Sequence, residues 1–461
     1  MKLDYRKTFL LGFGFLGVSV VWTFYNSFVP ILLKGFIASN ALIGLIMTFD
    51  NILAVTIQPI IGAASDKTRT KIGRRMPYLL VGAPLAAVFF ALIPVAQTLQ
   101  MLLTFIILVN LSMALFRSPV IALMPDIFPS PLRSKANGVI NFMGGAGALV
   151  AVFAGGALFN MNRDIPFIAL AAVMLTAIIV VYLTIKEPKD IPAEASEDIS
   201  WKLVKVSTIA LAVGVVSFLI LNKTGLLDSF LTFFKQEAIY QGHMLIALAL
   251  FALIVFITIL RWVHRSTIFI FLSIFFWFFG YNAVETFFTL YGVNTLGLKA
   301  GTASMILGIF IITFIIFAIP SGFIATRVGR KKTIITGLLL LIFPMACLAF
   351  TTSLPAIIAV MFISGVGWAA VNINSFPMIW DISTEEMLGT YTGLYYFFSM
   401  LAQTISPPII GIFIDYNRGD YQSMFYIVPA FFLLALVTML FVKGGEAKKM
   451  TTSEILEQME R

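Results

Sequence analysis

From Thr8 to Leu33 the chain runs for 26 residues without a charged side chain. That is longer than the ~20 apolar residues that span a bilayer as a helix, and runs of this kind recur along nearly the whole sequence. In lipid a backbone must satisfy its own hydrogen bonds, so each run reads as a transmembrane helix. Composition agrees: 60% of residues are hydrophobic and 11% charged, against about 25% charged in soluble domains. The chain is therefore read as an all-α polytopic membrane protein embedded in the lipid bilayer. Its first run is too long for a signal-peptide core of about 7–15 residues, and is expected to remain as a helix.

Bounding the runs by charges and turn residues predicts helices near 8–33, 41–64, 77–96, 100–124, 137–159 and 165–185. A polar stretch from Lys186 to Ser200, holding Glu187, Asp190, Glu194, Glu197, Asp198 and two prolines, then reads as a linker. Further helices are predicted near 203–221, 243–261, 267–293, 302–325, 333–351, 355–380, 390–414 and 424–442, about 14 transmembrane helices in all.

An even count puts both termini on one side, and the charges choose it. With the N-terminus inside, inner segments hold 24 of the 31 Lys and Arg, while Lys34, Arg163, Lys223, Lys235, Lys299 and Arg418 lie outside and Arg117 within a span. This asymmetry predicts a multi-pass protein of the cell membrane with both termini cytoplasmic. The net charge of +9 is then a loop property and implies no nucleic-acid partner. The single Cys347 and two His leave no intramolecular disulfide and no ordinary zinc site. The outer segment Asn222 to Gly242 suits an interfacial helix or a solvated loop equally, and Thr452 to Glu457 can cap a short cytoplasmic helix.

Two inner turns repeat one another. Gly62-Ala63-Ala64-Ser65-Asp66-Lys67, followed by Gly73-Arg74-Arg75, returns as Gly322-Phe323-Ile324-Ala325-Thr326-Arg327-Val328-Gly329-Arg330-Lys331. The glycine offsets are 260 (322 − 62) and 256 (329 − 73). They exceed a first half of 186 residues by 70 to 74, the size of the helix pair between 203 and 261. Two six-helix halves (1–186 and 267–445), a linker with an inserted two-helix hairpin (187–266) and a tail (446–461) account for the offset. Parallel repeats of this kind move around a midplane site in secondary transporters.

The turns resemble the signature loop of the major facilitator superfamily: glycine, three residues, Asp, Arg or Lys, one residue, Gly, Arg, then Arg or Lys. The second copy has Thr326 in the Asp place, and the first carries an insertion from Thr68 to Ile72. The block Gln58-Pro59, Gly62, Ser65-Asp66, Gly73-Arg74-Arg75, Pro77 resembles the sucrose/glycoside:proton symporter group (glycoside-pentoside-hexuronide type), with its related animal solute carriers. Ala122-Leu123-Met124-Pro125-Asp126 is similar to that group's Ala-Leu-x-x-Asp, although Ile121 stands where the group has Arg. The resemblance implies the major facilitator fold, symport of a sugar or glycoside with H⁺, and Asp126 as the coupling acid. Melibiose-type relatives bind sodium through acids of the second and fourth helices, which points to Na⁺ at Asp50 and Asp126 as the alternative.

Glycines let helices approach closely, and Asp66 can accept bonds from Arg74, Arg75 or a helix N-terminus. Gly62, Asp66, Gly73, Arg74, Arg75, Gly329 and Arg330 are thus candidates for a cytoplasmic gate. A turn that only orients its hairpin by charge would use the same arginines.

A charge at a helix centre costs about 2.5–3.5 kcal/mol on insertion scales, so Asp50, Arg117 and Glu285 each need a partner or a purpose. An Asp50–Arg117 ion pair would neutralise two of them. Asn51 lies beside Asp50, and Asn110 lies seven residues before Arg117, on the same face. Trp277, Tyr281 and Glu285, with Asn282, form a row on the first helix of the second half, matched by Trp22, Tyr25 and Asn26 in the first half. Trp368 and Asn372 lie one turn apart on a later helix, followed by Asn374, Trp380, Tyr391, Tyr395 and Gln403. Aromatic faces stack on sugar rings while amides and carboxylates take hydroxyls, and unpaired polar groups reject solutes that do not fit. Trp22, Tyr25, Asn26, Asn51, Asn110, Arg117, Trp277, Tyr281, Asn282, Trp368 and Asn372 are therefore the candidate substrate-binding residues, with ordinary helix packing as the competing account for each.

The sequence has no Gly-x-x-x-x-Gly-Lys-Ser/Thr loop, which excludes ATP-driven transport within this chain. Coupling must come from a cation whose binding changes the relative stability of two states. A carboxylate in a dry cavity favours its protonated form, so Asp126, Asp50 and Glu285 are the candidate cation-coupling residues. The expectation is a secondary active transporter working by alternating access as a monomer, with no cofactor beyond co-transported H⁺ (or Na⁺). An antiporter for another small solute such as a drug is the nearest rival. An embedded transferase lacks a catalytic constellation here, and a channel has no use for the repeated loops.

Overall fold

The structure is a computed structural model that describes residues 3–128, 130–187, 265–382 and 388–446. The described residues form helices α1 (Tyr5–Lys34), α2 (Asn40–Met47), α3 (Phe49–Lys67), α4 (Met76–Leu92), α5 (Leu99–Ile127), α6 (Ser130–Leu149), α7 (Gly156–Met161) and α8 (Ile165–Thr184). After residue 264 come α9 (Arg265–Asn294), α10 (Ala300–Val328), α11 (Arg330–Cys347), α12 (Leu354–Ile382), α13 (Leu388–Tyr416) and α14 (Met424–Phe441). Ten of the described helical segments are long and apolar enough to cross a membrane. The expected hairpin at 203–221 and 243–261, the segment Asn222 to Gly242 and the tail helix lie outside the described residues.

Two predicted spans are interrupted. The second is divided at Thr48 into α2 and α3. The fifth contains a π-helical turn, Val150–Gly155, between α6 and α7. Helix starts follow local chemistry: the side chains of Asp4, Ser39 and Thr98 accept from the N–H groups of Lys7, Leu42 and Met101, each satisfying a donor with no intrahelical partner.

The chain divides into two compact units. The first holds the described residues up to 187 together with Ala283–Ile311 and Thr404–Gln422. Its core is aromatic: Phe24 stacks on Phe28 at 4.2 Å and meets Phe167 edge-on at 5.0 Å. Gly147 lets α6 rest on α1, since a Cβ there would strike the Leu16 backbone, whereas nothing lies within 4 Å of a Cβ at Gly138. The second unit holds residues 265–282, the described part of Ile312–Gln403, and Ser423 onward to 446. There Gly337 and Gly367 bring α11 and α12 into backbone contact, and Phe279 stacks on Phe431 at 3.7 Å. The two units therefore cut across the sequence repeat, because α9, α10 and α13 each contribute to both. Outward faces are apolar: on α10, Ile316, Ile319 and Phe323 are 61%, 72% and 67% exposed. In a soluble protein such a stripe would be a liability; against lipid tails it is the expected surface.

Candidate functional site

Within the first unit, the polar residues of four helices gather. Trp22 and Tyr25 on α1 meet edge-on at 5.5 Å. The Arg117 guanidinium of α5 lies over the Trp22 ring, 5.6 Å from its centre, a geometry that stabilises a cation against an aromatic face. Asn110, one heptad before Arg117, donates to the Tyr25 hydroxyl at 3.2 Å. From α9, Glu285 accepts from Asn26 Nδ2 at 3.4 Å. Asp50, in the first turn of α3, accepts from the Asn51 N–H at 2.7 Å. Its charge acts on both Arg117 and Glu285, but Asp50 and Arg117 do not form a contact ion pair.

The side chains of Asn26, Asp50, Asn51, Arg117 and Glu285 are half-buried rather than sealed. Two buried polar atoms here, Trp22 Nε1 and Asn110 Oδ1, have no hydrogen-bond partner. Six of the eleven candidate substrate-binding residues, Trp22, Tyr25, Asn26, Asn51, Asn110 and Arg117, fall in the first unit together with the coupling candidate Glu285.

The other candidates belong to the second unit. Tyr281 stacks on Trp368 at 4.4 Å with the rings 8° from parallel. Asn282 turns its amide back onto its own helix, donating to the Phe278 carbonyl at 2.7 Å, and Asn374 does the same with Ala370 at 2.9 Å. Trp277 is fully buried and its indole N–H has no partner, so it packs in the core. Asn372 is half-buried, and Tyr395 shares a hydrogen bond with Ser375 at 3.1 Å. The side chain of Trp380 lies outside the described residues.

The first repeated turn is a dense ionic network. Arg74 binds Asp126 with two nitrogens, at 2.6 and 3.2 Å, and Arg75 Nε reaches the same carboxylate at 3.1 Å. Arg75 also donates to the Gly62 carbonyl, the Ser65 hydroxyl and Asp66. Gly73 supplies a backbone φ of +117°, a region that favours glycine. Sequence reasoning missed Glu187, placing it in the linker. Its carboxylate is buried and accepts from the Arg75 N–H at 3.1 and 3.0 Å, capping α4, where an anion is favoured.

The second turn repeats this design within its own unit. Gly329 has φ +106°, Arg330 pairs with Asp381 and donates to the Pro377 carbonyl, and Glu446 caps α11 through the N–H groups of Arg330 and Lys331 at 2.6 and 3.1 Å. Asp381 and Glu446 were also missed; their offsets from Asp126 and Glu187, 255 (381 − 126) and 259 (446 − 187), are the signal that finds them. Asp126 is therefore held by two arginines at this turn. The described partners of Arg74 and Arg75 all precede residue 188, so this network ties helices of one repeat together.

A family model described as the Major Facilitator Superfamily matches residues 11–281 and 270–457 of the chain. Two curated relatives are MFS-type transporters ppzB, from Metarhizium rileyi and Metarhizium majus. Each is 24% identical over 111 residues, which is 24% of this chain and 23% and 24% of the respective relatives. The match thus spans about a quarter of the length of these relatives. Among solved structures, a peptide transporter POT in complex with sulfate superposes with TM-score 0.68 at 13% identity, covering 95% of each chain. A mutant of the nucleoside transporter NupG gives 0.64 at 15% identity, covering 95% of this chain and 99% of that one. A bacterial homolog of the human lysosomal transporter Spinster, inward-facing and occupied, gives 0.68 at 13% identity over 98% of this chain and 100% of that one. At such identities the likeness is one of fold.

Proposed function

Since the chain belongs to the Major Facilitator Superfamily, we propose that it is a secondary transporter that carries a sugar or glycoside together with H⁺ by alternating access. It works as a monomer in the cell membrane, with both termini cytoplasmic. The observation that carries the reading is the Asn26–Glu285 contact at 3.4 Å. It brings an acid of the second repeat's first helix into the same half-buried cluster as Asp50, Arg117 and the aromatic pair Trp22 and Tyr25. Aromatic faces and amides suit a polyhydroxylated ring, and a carboxylate beside them can exchange a proton as the solute enters.

Coupling is assigned to Glu285 with Asp50. Asp126, with its two arginines, belongs to the inner turn, a role in which it fixes helix ends. With Asp126 so engaged, the sodium alternative keeps only Asp50 and Glu285 as ligands. Arg117 together with two acids would also suit a solute bearing both charges, and the solved structures that share the fold include peptide and nucleoside transporters.

The test is uptake by the purified full chain in proteoliposomes under an imposed pH gradient, with a parallel sodium gradient. Disaccharides, monosaccharides, dipeptides and nucleosides form the panel. Accumulation of a sugar that follows the pH gradient supports the proposal. Accumulation of a dipeptide or nucleoside alone, or of a sugar indifferent to pH, overturns its substrate or its coupling half respectively.

A further inference from the structure

The first unit contains two helix-end contacts that the transport site does not use. In one, Asp415 near the end of α13 faces the start of α2. Its carboxylate accepts from Ser39 Oγ at 2.9 Å, the Asn40 N–H at 2.9 Å, Asn40 Nδ2 at 2.8 Å and the Ala41 N–H at 3.0 Å. Asn40 is fully buried, and its side-chain oxygen Oδ1 accepts in turn from Lys34 Nζ at 3.0 Å and Tyr421 Oη at 2.5 Å. One turn before Asp415, a Cβ on Gly411 would collide with the backbone of Asn40 and Ala41.

In the other contact, Asn160 of α7 faces the start of α10. Its oxygen accepts from the Gly301 N–H at 2.9 Å and its nitrogen donates to Thr302 Oγ1 at 3.2 Å. One turn earlier, Gly156 meets the Gly301 backbone so closely that neither position has room for a Cβ.

These contacts are copies of one device. Asn160 and Asp415 are 255 residues apart (415 − 160), as are Gly156 and Gly411 (411 − 156) and the turn acids Asp126 and Asp381. The facing segments, Asn40-Ala41 and Ala300-Gly301, are 260 apart (300 − 40), as are Gly62 and Gly322. Each copy has a glycine that admits the other backbone and, four residues on, an acceptor for N–H groups at the positive end of the facing helix. Each also joins one repeat to the other: α13 to α2, and α7 to α10. They differ in charge and in the bonds that follow from it: the Asn160 amide accepts one N–H and donates to Thr302, whereas the Asp415 carboxylate accepts from four donors. Charge-assisted hydrogen bonds are roughly twice as strong as neutral ones.

We propose that Gly156 with Asn160, and Gly411 with Asp415, are repeat-related clasps that fasten the two repeats at the end expected to face outward. The charge on Asp415 makes its clasp the one that sets how readily that end opens. Opening exposes the N–H groups of Asn40 and Ala41 together with the carboxylate, so both must be rehydrated in the same step. The alternating-access reading supplies the meaning of opening, whereas the measurement below needs no substrate and so fails or succeeds independently of the sugar assignment.

The experiment places spin labels at Phe36→Cys and Arg418→Cys in the full chain, with Cys347→Ser, in lipid nanodiscs. Electron–electron distance distributions are then recorded. Asp415→Asn, which keeps the shape, is expected to raise the ratio of long to short distances roughly tenfold, the scale of a lost charge in such bonds. Asn160→Asp is expected to lower it, and Gly411→Ala to raise it by steric exclusion. Unchanged distributions in Asp415→Asn and Gly411→Ala would overturn the proposal, as would a shift towards long distances in Asn160→Asp. Thermal unfolding of each variant confirms that the folded chain is being read.

Discussion

Asn26 and Glu285 stand 259 residues apart in sequence and meet side chain to side chain at 3.4 Å. Trp22 and Tyr281 share that offset of 259 (281 − 22), so the pair occupies one and the same place in the first helix of each repeat. At this length the hydrogen bond is weak, and Glu285 can exchange it for a proton or a solute hydroxyl at little cost. Glu285→Gln keeps the shape and removes the exchangeable charge. It is expected to reduce pH-driven accumulation by at least tenfold while solute counterflow continues. Full accumulation by this variant would remove Glu285 from coupling.

In the first unit the Arg117 guanidinium lies over the Trp22 ring, the pair proposed above to meet the solute. A cation–π contact contributes about 0.5–2 kcal/mol, and Arg117→Ala also removes a positive charge that attracts Asp50. The variant is expected to raise KM for uptake about two- to thirtyfold, by the same scale. Trp22→Phe keeps a ring but loses the indole N–H and is expected to act in the same direction for solutes with hydroxyl groups. An unchanged KM in both would assign the pair to packing.

Asp126 separates a structural role from a coupling one. Its side chain is 9% exposed and receives both arginines, so Asp126→Asn is expected to lower stability by about 1–3 kcal/mol, the cost of leaving buried charge-assisted bonds unmade. The folded fraction is expected to keep its pH-driven accumulation. Thermal unfolding in detergent and uptake per folded molecule check the two halves. Unchanged stability with lost accumulation would return the proton to Asp126.

Glu187 and Glu446 cap α4 and α11 through backbone N–H groups. Glu187→Gln is expected to destabilise by about 1–2 kcal/mol, since its carboxylate is buried and helix N-termini favour anions. Gly73→Ala is expected to cost at least as much: its φ is +117° and its Cβ would run into Glu187. Unfolding temperatures equal to the native chain in both variants would dismiss the cap.

Among the described residues, the helices and the repeated turns were legible because lipid imposes long apolar runs and because glycine and arginine recur at fixed offsets. Glu187 was not, since its sequence neighbours Asp190, Glu194, Glu197 and Asp198 make it look like one more linker acid. Its partner is a backbone N–H, which leaves no mark on sequence. Asp415 sits near a helix end, where an acid attracts no attention by cost of burial. The row Trp277, Tyr281, Glu285 shows the limit of periodicity. Four residues turn a helix by about 400°, so such a row drifts by about 40° per step. Trp277 is accordingly fully buried while Tyr281 and Glu285 are half-buried.

The π-helical turn Val150–Gly155 precedes Gly156, and Pro407-Pro408 precedes Gly411, with Val152 and Pro407 again 255 residues apart (407 − 152). A wide turn and a proline pair both withhold ordinary i to i−4 hydrogen bonds. Each repeat thus loosens the same helix at the same level, by different chemistry, just before the segment that grips its neighbour. A change in the tilt of either tip would therefore break fewer backbone hydrogen bonds at this level than anywhere along a regular helix.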